Sequence, residues 1–255
     1  MAVQIFAHRG ASFAAPENTL PAFEKAAALH VDGVELDVHL TTDGRLVVIH
    51  DDTVDRTTNG QGRVNRMTLE QLRALDASAG RQGYGGVRIP TLAEVYRLLE
   101  PTHLLVNVEL KENRRSRDGY AVIPKVLALE ESAGMSGRVF YSSFNPFLLR
   151  ELKRRSPQSK TALLYKVPLA RVWKLAARLV ADAIHPKDSL LRDTALVSQC
   201  HTRGLAVRPW TADEPAVMEE LFRQQVDAVI TNCPEQALHL RIDTVPMAAS
   251  HAYSK

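Results

Sequence analysis

The stretch VELDVHLTTDG, residues 34–44, decides how this chain folds. It alternates with period two: Val34, Leu36, Val38 and Leu40 share one face of an extended segment, while Glu35, Asp37 and His39 share the other. One face therefore belongs in a hydrophobic layer, and the carboxylates opposite need a charge partner. The pattern recurs in LLVNVELK, residues 104–111, where Val106, Val108 and Leu110 face one way and Asn107, Glu109 and Lys111 the other.

Working outward, strand patterns fall at 3–8, 33–40, 104–110, 138–143, 160–165, 182–185, 205–210 and 227–231. Helical periodicity lies between and after them, at 19–30, 92–100, 119–133, 146–155, 169–180, 192–203, 214–225 and 235–241. Eight strand–helix units in 255 residues match the size and rhythm of a closed (β/α)8 TIM barrel. A doubly wound open sheet also alternates, and the barrel is preferred to it. One connection breaks the rhythm. Residues 51–90 separate His50 from a helix announced by the capping box Thr91/Glu94, and they contain a second capping box, Thr68/Gln71, and the run GRQGYGG. They read as a small inserted subdomain after strand two, within a single catalytic domain over 1–243; residues 244–255 have no periodicity and read as a loose tail.

Composition narrows the function classes. A hydrophobic content of 45% supports a sizeable core, and a net charge of +3 is spread along the chain, with no basic arm or stripe for nucleic acid or anionic lipid. No stretch of about 18 apolar residues predicts a membrane span, and MAVQIFAHRG lacks the basic and apolar regions of a leader, so no stable membrane anchoring is expected. Cys200 and Cys233 are too few for a disulfide framework and lack metal-site spacing. These features predict a cytoplasmic enzyme and leave homo-oligomerisation open.

In a parallel barrel the polar face points inward, and near the C-terminal ends of the strands it lines the mouth where active sites sit. Glu35, Asp37 and Glu109 would meet there. Carboxylates about 4 Å apart repel by roughly 4 kcal/mol per pair at an effective dielectric near 20, so the site must take up protons or a cation. A divalent metal with oxygen ligands fits best; the alternative is a structural network with Arg9, Lys111 or Arg208. His8 ends the first apolar run and His50 ends LVVIH, bringing two imidazoles to the same rim as a candidate acid–base pair. Arg9 offers a planar fork to a phosphate or carboxylate, or else pairs with Glu35 or Asp37. Together these groups favour an anionic ester substrate, with phosphoryl chemistry ahead of carboxylate chemistry.

Several stretches resemble the glycerophosphodiester phosphodiesterase family: AHRGASFAAPENTLPAF (7–23), GVELDVHLTTDGRLVVIHDDTVDRTTNGQG (33–62), IPTLAEV (89–95), LVNVELK (105–111) and, less specifically, YSSFN (141–145) and VRPWT (207–211). The resemblance covers nearly the whole chain. It implies a TIM barrel with an insertion after strand two, and hydrolysis of small-molecule glycerophosphodiesters, such as glycerophosphocholine or glycerophosphoethanolamine, to glycerol 3-phosphate and an alcohol, with one divalent cation, Mg2+ or Ca2+. Carried onto this sequence, it makes Glu35, Asp37 and Glu109 metal ligands, His8 and His50 the acid–base pair, and Arg9 a phosphate ligand. Lys111 would help neutralise the phosphate, Trp210 and Phe144 would pack on the substrate, and Glu17 and Asn18 would support the first rim of the substrate site. Packing at the barrel mouth is the alternative role for both aromatics.

Two departures from the family pattern stand out. Ala212 replaces an Asn common in relatives and Asn232 an Asp, and both are expected to affect rim contacts and head-group preference without touching the metal or histidine set. Attack by a neighbouring substrate hydroxyl, forming a cyclic phosphate, and direct attack by water both remain open. A lysophospholipid-cleaving phosphodiesterase is the nearest alternative function, disfavoured because no segment reads as a surface-binding helix for an acyl chain. A barrel that binds phosphodiesters without turnover is the other, opposed by retention of all three acids and both histidines.

Overall fold

The computed structural model describes residues 2–111, 120–191 and 195–244; the tail expected over 244–255 lies, after Thr244, outside them. Eight parallel strands form the barrel: β1 (Gln4–His8), β2 (Gly33–Leu40), β4 (Leu105–Leu110), β5 (Val139–Ser143), β6 (Lys160–Tyr165), β7 (Ala183–Pro186), β8 (Ala206–Val207) and β9 (Ala228–Thr231). A further short strand, β3 (Leu46–Val48), runs antiparallel to the end of β2, with Val38 opposite Val48. The strands are ordered β8-β7-β6-β5-β4-β2-β1-β9. Bonds from Asp227 N–H to Val207 O (2.9 Å), Ile230 N–H to Pro209 O (3.0 Å) and Ala212 N–H to Ile230 O (3.0 Å) join β9 to the β8 segment and nearly close the ring. The expected strand over 205–210 shortens to two residues because Pro209 has no N–H to donate to a ladder.

Helices α1 (Leu20–Ala28), α3 (Leu92–Leu99), α4 (Val122–Ser132), α5 (Pro146–Arg155), α6 (Val172–Leu179), α7 (Ala195–His201), α8 (Pro215–Arg223) and α9 (Pro234–Thr244) alternate with the barrel strands, and α2 (Leu69–Arg73) lies in the insertion. Both capping boxes form. Thr68 and Thr91 accept from the N–H groups of Gln71 and Glu94, whose side chains accept in return from the backbone N–H of each threonine. At α5, Asn145 Oδ1 accepts from Phe147 N–H, and Pro146 supplies a preset first helical residue.

The main core lies between the strands and the helices. Ile5, Ala7, Val34, Leu36, Val38, Val106, Val108 and Leu110 point into it and are buried. The insertion builds a smaller core of its own from Val54, Val64, Leu72, Ala77 and Ile89, closed against Val47 and Ile49. Strand register then fixes the inward face: His8 lies beside Glu35, Glu35 beside Asn107, and Asp37 beside Glu109. Residues far apart in sequence, such as His8 and Glu109, which are 101 positions apart, are thus gathered at one end of the barrel.

Candidate active site

Glu35, Asp37 and Glu109 are buried, and one carboxylate oxygen from each lies within 4.8 Å of the others. Three acidic groups so close cannot all ionise without a cation. Burial, reinforced by the charges of Asp37 and Glu109, pushes the Glu35 carboxyl well above its ordinary value. Burial also raises Glu109, to about 7, against the opposing pull of Lys111. Burial acts on Asp37 in the same direction, but Lys111 and Arg9 outweigh it and hold that carboxyl well below the usual range. Lys111 Nζ stands 2.8 Å from Asp37 Oδ1 and 2.5 Å from Glu109 Oε1. All-oxygen, anionic and convergent, this donor set suits a hard divalent cation such as Mg2+ or Ca2+.

Neighbours from the β1–α1 connection hold the acids in place. Asn18, itself buried, donates from Nδ2 to Asp37 Oδ2 (2.8 Å) and accepts at Oδ1 from Asp37 N–H (3.4 Å). The Arg9 N–H donates to Glu35 Oε2 at 3.1 Å, and its Nε lies 3.4 Å from Asp37 Oδ2. Arg9 and Asn18 have φ of 57° and 56°, a left-handed backbone unusual for residues with a Cβ, and this aims both side chains back at β2. Between them the chain passes so close to α1 that a Cβ on Gly10 (φ +78°) would sit 2.7 Å from the Ala22 carbonyl carbon.

The two histidines are anchored by unlike partners. His50 Nδ1 lies 2.5 Å from Asp51 Oδ1, and Arg56, from the insertion, clamps Asp51 (Nε to Oδ2, 2.7 Å) to Glu17 (Nη1 to Oε2, 2.8 Å). Hydrogen bonding from Arg56 holds the Asp51 carboxyl down at about 2. Burial opposes ionisation of Glu17, but Arg56 and Arg9 (Nη1 to Oε1, 2.8 Å) outweigh it and lower this acid too. An ionised bridge thus runs from His50 to Arg9. His8 Nδ1, by contrast, lies 2.7 Å from Asn232 Oδ1, and its Nε2 lies 3.8 Å from Glu35 Oε2. Burial, then the Arg9 charge, lowers His8 to about 4; burial lowers His50 as well, in part against the charge of Asp37.

Asn232 overturns one expectation. It was expected to lie clear of the histidines, yet it is the direct partner of His8. Its orientation is not free, because Asp213 accepts from both Asn232 Nδ2 (2.6 Å) and Asn232 N–H (2.8 Å). A carboxylate only accepts, so the amide NH2 must face Asp213 and the amide oxygen must face His8. That oxygen also accepts from Ser12 Oγ (2.8 Å). His8 Nδ1 is therefore the N–H donor and Nε2 faces the acids. Sequence reasoning missed Asp213, Asp51 and Arg56 as well. Asp51 and Arg56 lie in the irregular start of the insertion, where no strand or helix period assigns a face, and His8 and Asn232 are 224 residues apart. Ala212 is buried, and its N–H bonds to Ile230 O.

Trp210 stands at the mouth, its Nε1–H bonded to His185 O (2.9 Å) and its ring edge-to-face with Phe144 at 5.5 Å between centroids. All eleven expected site residues thus lie on the inner face or C-terminal rim of the barrel. Asn18 and Glu17 are engaged with Asp37 and with Arg9 and Arg56, a bracing position.

The family model of the glycerophosphoryl diester phosphodiesterase family matches residues 8–236. This chain belongs to that family. A glycerophosphodiester phosphodiesterase of Caldanaerobacter subterraneus subsp. tengcongensis is 41% identical over 242 residues, which cover 94% of this chain and 98% of the relative. Among solved structures, an Oleispira antarctica phosphodiesterase in complex with the product sn-glycerol-3-phosphate superimposes with a TM-score of 0.89 at 29% identity, covering 95% of this chain and 98% of that one. The crystal structure of a protein from Silicibacter pomeroyi described as a "putative glycerophosphoryl diester phosphodiesterase" gives 0.88 at 27% identity, covering 95% of this chain and 94% of that one. Like these family members the chain is a TIM barrel, and it is an enzyme of the phosphoric diester hydrolase class. Among the described residues no helix is long and apolar enough to cross a membrane.

Proposed function

We propose that this phosphodiesterase hydrolyses glycerophosphodiesters, glycerophosphocholine and glycerophosphoethanolamine among them, to glycerol 3-phosphate and the free alcohol. The observation carrying this reading is the buried acidic triad at the barrel mouth, flanked by two histidines whose Nδ1 atoms are both tied down. Glu35, Asp37 and Glu109 would hold one divalent cation, Mg2+ or Ca2+, which when bound neutralises phosphate charge and polarises the phosphoryl group. Arg9 and Lys111 add positive charge for the phosphate, and the Trp210 ring offers a flat apolar face to the glycerol carbons, with Phe144 behind it. The two unpaired thiols, Cys200 and Cys233, suit a reducing compartment, and a cytoplasmic location fits them.

The histidine partners divide the proton work. A carboxylate favours an imidazolium and a neutral amide does not, so His50, on Asp51, holds a proton more readily than His8, on Asn232. His8 Nε2 then accepts the proton of the attacking oxygen, and His50 Nε2 gives one to the departing alkoxide, a poor leaving group when unprotonated. The attacking oxygen is either water or the adjacent glycerol hydroxyl, and this assignment holds for both.

The test is choline release from glycerophosphocholine with added cation and with chelator. Release that depends on the cation is expected; no release from any glycerophosphodiester would leave a barrel that binds without turnover. His8→Ala and His50→Ala should each lose about 10²–10⁴-fold in kcat while still binding cation. On a p-nitrophenyl diester, whose leaving group needs little protonation, His50→Ala should recover more than His8→Ala. Equal losses on both substrates would refute the division of labour.

A further inference from the structure

The Gly-rich run GRQGYGG, residues 80–86, leaves the small core of the insertion and reaches across to the β1–α1 connection. Gly80 and Gly83 have φ of 72° and 83°, and no atom lies within 4 Å of where a Cβ on either would stand. Glycine there serves the path of the chain, and the side chains between make the contacts. Arg81 donates from Nη1 to Ser12 O (2.9 Å) and from Nη2 to Phe13 O (2.5 Å), and the Tyr84 hydroxyl donates to Ala14 O (2.9 Å). Three consecutive carbonyls of one loop at the site thus accept from one strap. They need outside donors for a local reason. Residues 11–15 make a tight turn in which Ala14 and Ala15 N–H both donate to Ala11 O (2.9 and 3.0 Å), and continuing it would bring residue 16 to Ser12 O, but Pro16 has no N–H. The arginine fork holds its donors in fixed geometry and so serves two adjacent carbonyls at once.

What this turn carries to the site is the Ser12 hydroxyl. It donates to Asn232 Oδ1 (2.8 Å), the same oxygen that accepts from His8 Nδ1–H (2.7 Å), and the neighbouring Phe13 N–H donates to Asn232 O (3.1 Å). Asp213 holds the NH2 end of the Asn232 amide and Ser12 holds the oxygen end. Fixed at both ends, the amide cannot swing about its nitrogen, and the His8 ring bonded to it keeps Nε2 turned towards the acids. We propose that Arg81 and Ser12 are positioning residues for His8. The strap sets the place of the Ser12 hydroxyl, the hydroxyl fixes the Asn232 oxygen, and that oxygen aligns the imidazole. The inference rests on the reading above, in which His8 accepts the proton of the attacking oxygen. It gives the insertion a second task. Through Arg56 and Asp51 the insertion braces His50, and through Arg81 and Ser12 it braces His8, so one small subdomain aligns both imidazoles while supplying neither.

The experiment is a double-mutant cycle, Ser12→Ala and Arg81→Ala singly and together, on full-length enzyme turning over glycerophosphocholine at saturating Mg2+ or Ca2+. Ser12→Ala keeps the backbone carbonyl that Arg81 binds, so the cycle separates the hydroxyl from its support. One hydrogen bond of ordinary net strength corresponds to about fivefold, and each single variant should lose roughly that in kcat. KM, and cation affinity read by calorimetry, should stay within about twofold of the parent. In the Ser12→Ala background, Arg81→Ala should cost less than about twofold more, because the hydroxyl it places is already gone. Arg81→Lys, which keeps one donor, should recover part of the loss. Thermal midpoints check the fold, and if Arg81→Ala unfolds, Arg81→Lys takes its place in the cycle. An Arg81→Ala loss as large in the Ser12→Ala background as in the parent overturns the proposal, and makes the strap a cover that acts independently of His8. So does a loss confined to KM, or a kcat within about 1.5-fold of the parent in both single variants. Two controls separate this proposal from what lies beneath it: a parent that releases no choline refutes the phosphodiesterase reading, and a fully active His8→Ala refutes the assignment of His8 as base. Choline release by the parent, loss of activity in His8→Ala and an additive cycle refute the positioning role alone.

Discussion

Cation binding should expel protons from this site, and their number is set by the acidic triad. With Glu109 raised to about 7, and Glu35 raised well above its ordinary value by burial and by its acidic neighbours, these carboxyls hold on to protons more tightly than free ones in the cation-free protein, while Lys111 and Arg9 keep Asp37 ionised. A cation coordinated by all three must displace those protons and draw Glu109 away from Lys111 Nζ. The sign follows directly. Raised carboxylate pKa values mean that protons compete with the metal as pH falls, so apparent affinity drops below pH 7, by about 10- to 100-fold per pH unit for one or two protons released. Titration calorimetry with Mg2+ or Ca2+ in two buffers of different ionisation enthalpy, at pH 6, 7 and 8, counts them. The count should fall with rising pH as Glu109, raised to about 7, ionises before the cation arrives. Binding of the cation with no proton released at pH 6 and an affinity flat from pH 6 to 8 would refute the reasoning, and would place the ion elsewhere or leave one of these acids out of its shell.

Three further outcomes test the braces around the site. Asn18→Leu removes both bonds to Asp37 and should weaken cation binding about 10- to 100-fold, read by the same calorimetry, without unfolding the barrel. Asn232→Leu leaves His8 Nδ1–H without its acceptor and should lower kcat on glycerophosphocholine by about 100-fold at saturating cation, with Asn232→Asp, which restores an acceptor, recovering part of the loss; an unchanged kcat in the leucine variant would make the contact merely structural. Arg56→Ala frees Asp51 and Glu17 at a half-exposed position, so thermal unfolding should show a loss of no more than about 1 kcal/mol, whereas kcat/KM should fall roughly tenfold as His50 and Arg9 loosen; a large stability loss with normal turnover would reverse that account.

Much of this enzyme is legible one residue at a time. Period-two alternation in residues 34–40 and 105–111 separates the helix-facing side from the barrel interior, and Glu35, Asp37 and Glu109 fall on the interior side because side-chain direction along a strand is a local property. Capping boxes at Thr68 and Thr91 and the count of strand–helix units are local as well, and they led to the barrel and to the helix within its insertion. Strand β3 escaped notice because three residues, Leu46–Val48, are too few to show a period.

What only the folded molecule decided are the partners met across long distances. Nothing near His8 in sequence specifies Asn232, 224 residues away, because the meeting depends on β9 lying beside β1 in a nearly closed ring. Arg56 reaches Glu17 only because the insertion folds back over the first rim. Lys111 sits on the same alternation phase as Glu109, but its contact with Asp37 requires β2 and β4 to be neighbours in the observed register. Local steric and hydrophobic preferences act within a few residues and therefore show in the sequence; the tautomer of His8, the ionisation of the triad and the contact of Phe144 with Trp210 depend on distances that exist only once the barrel has closed.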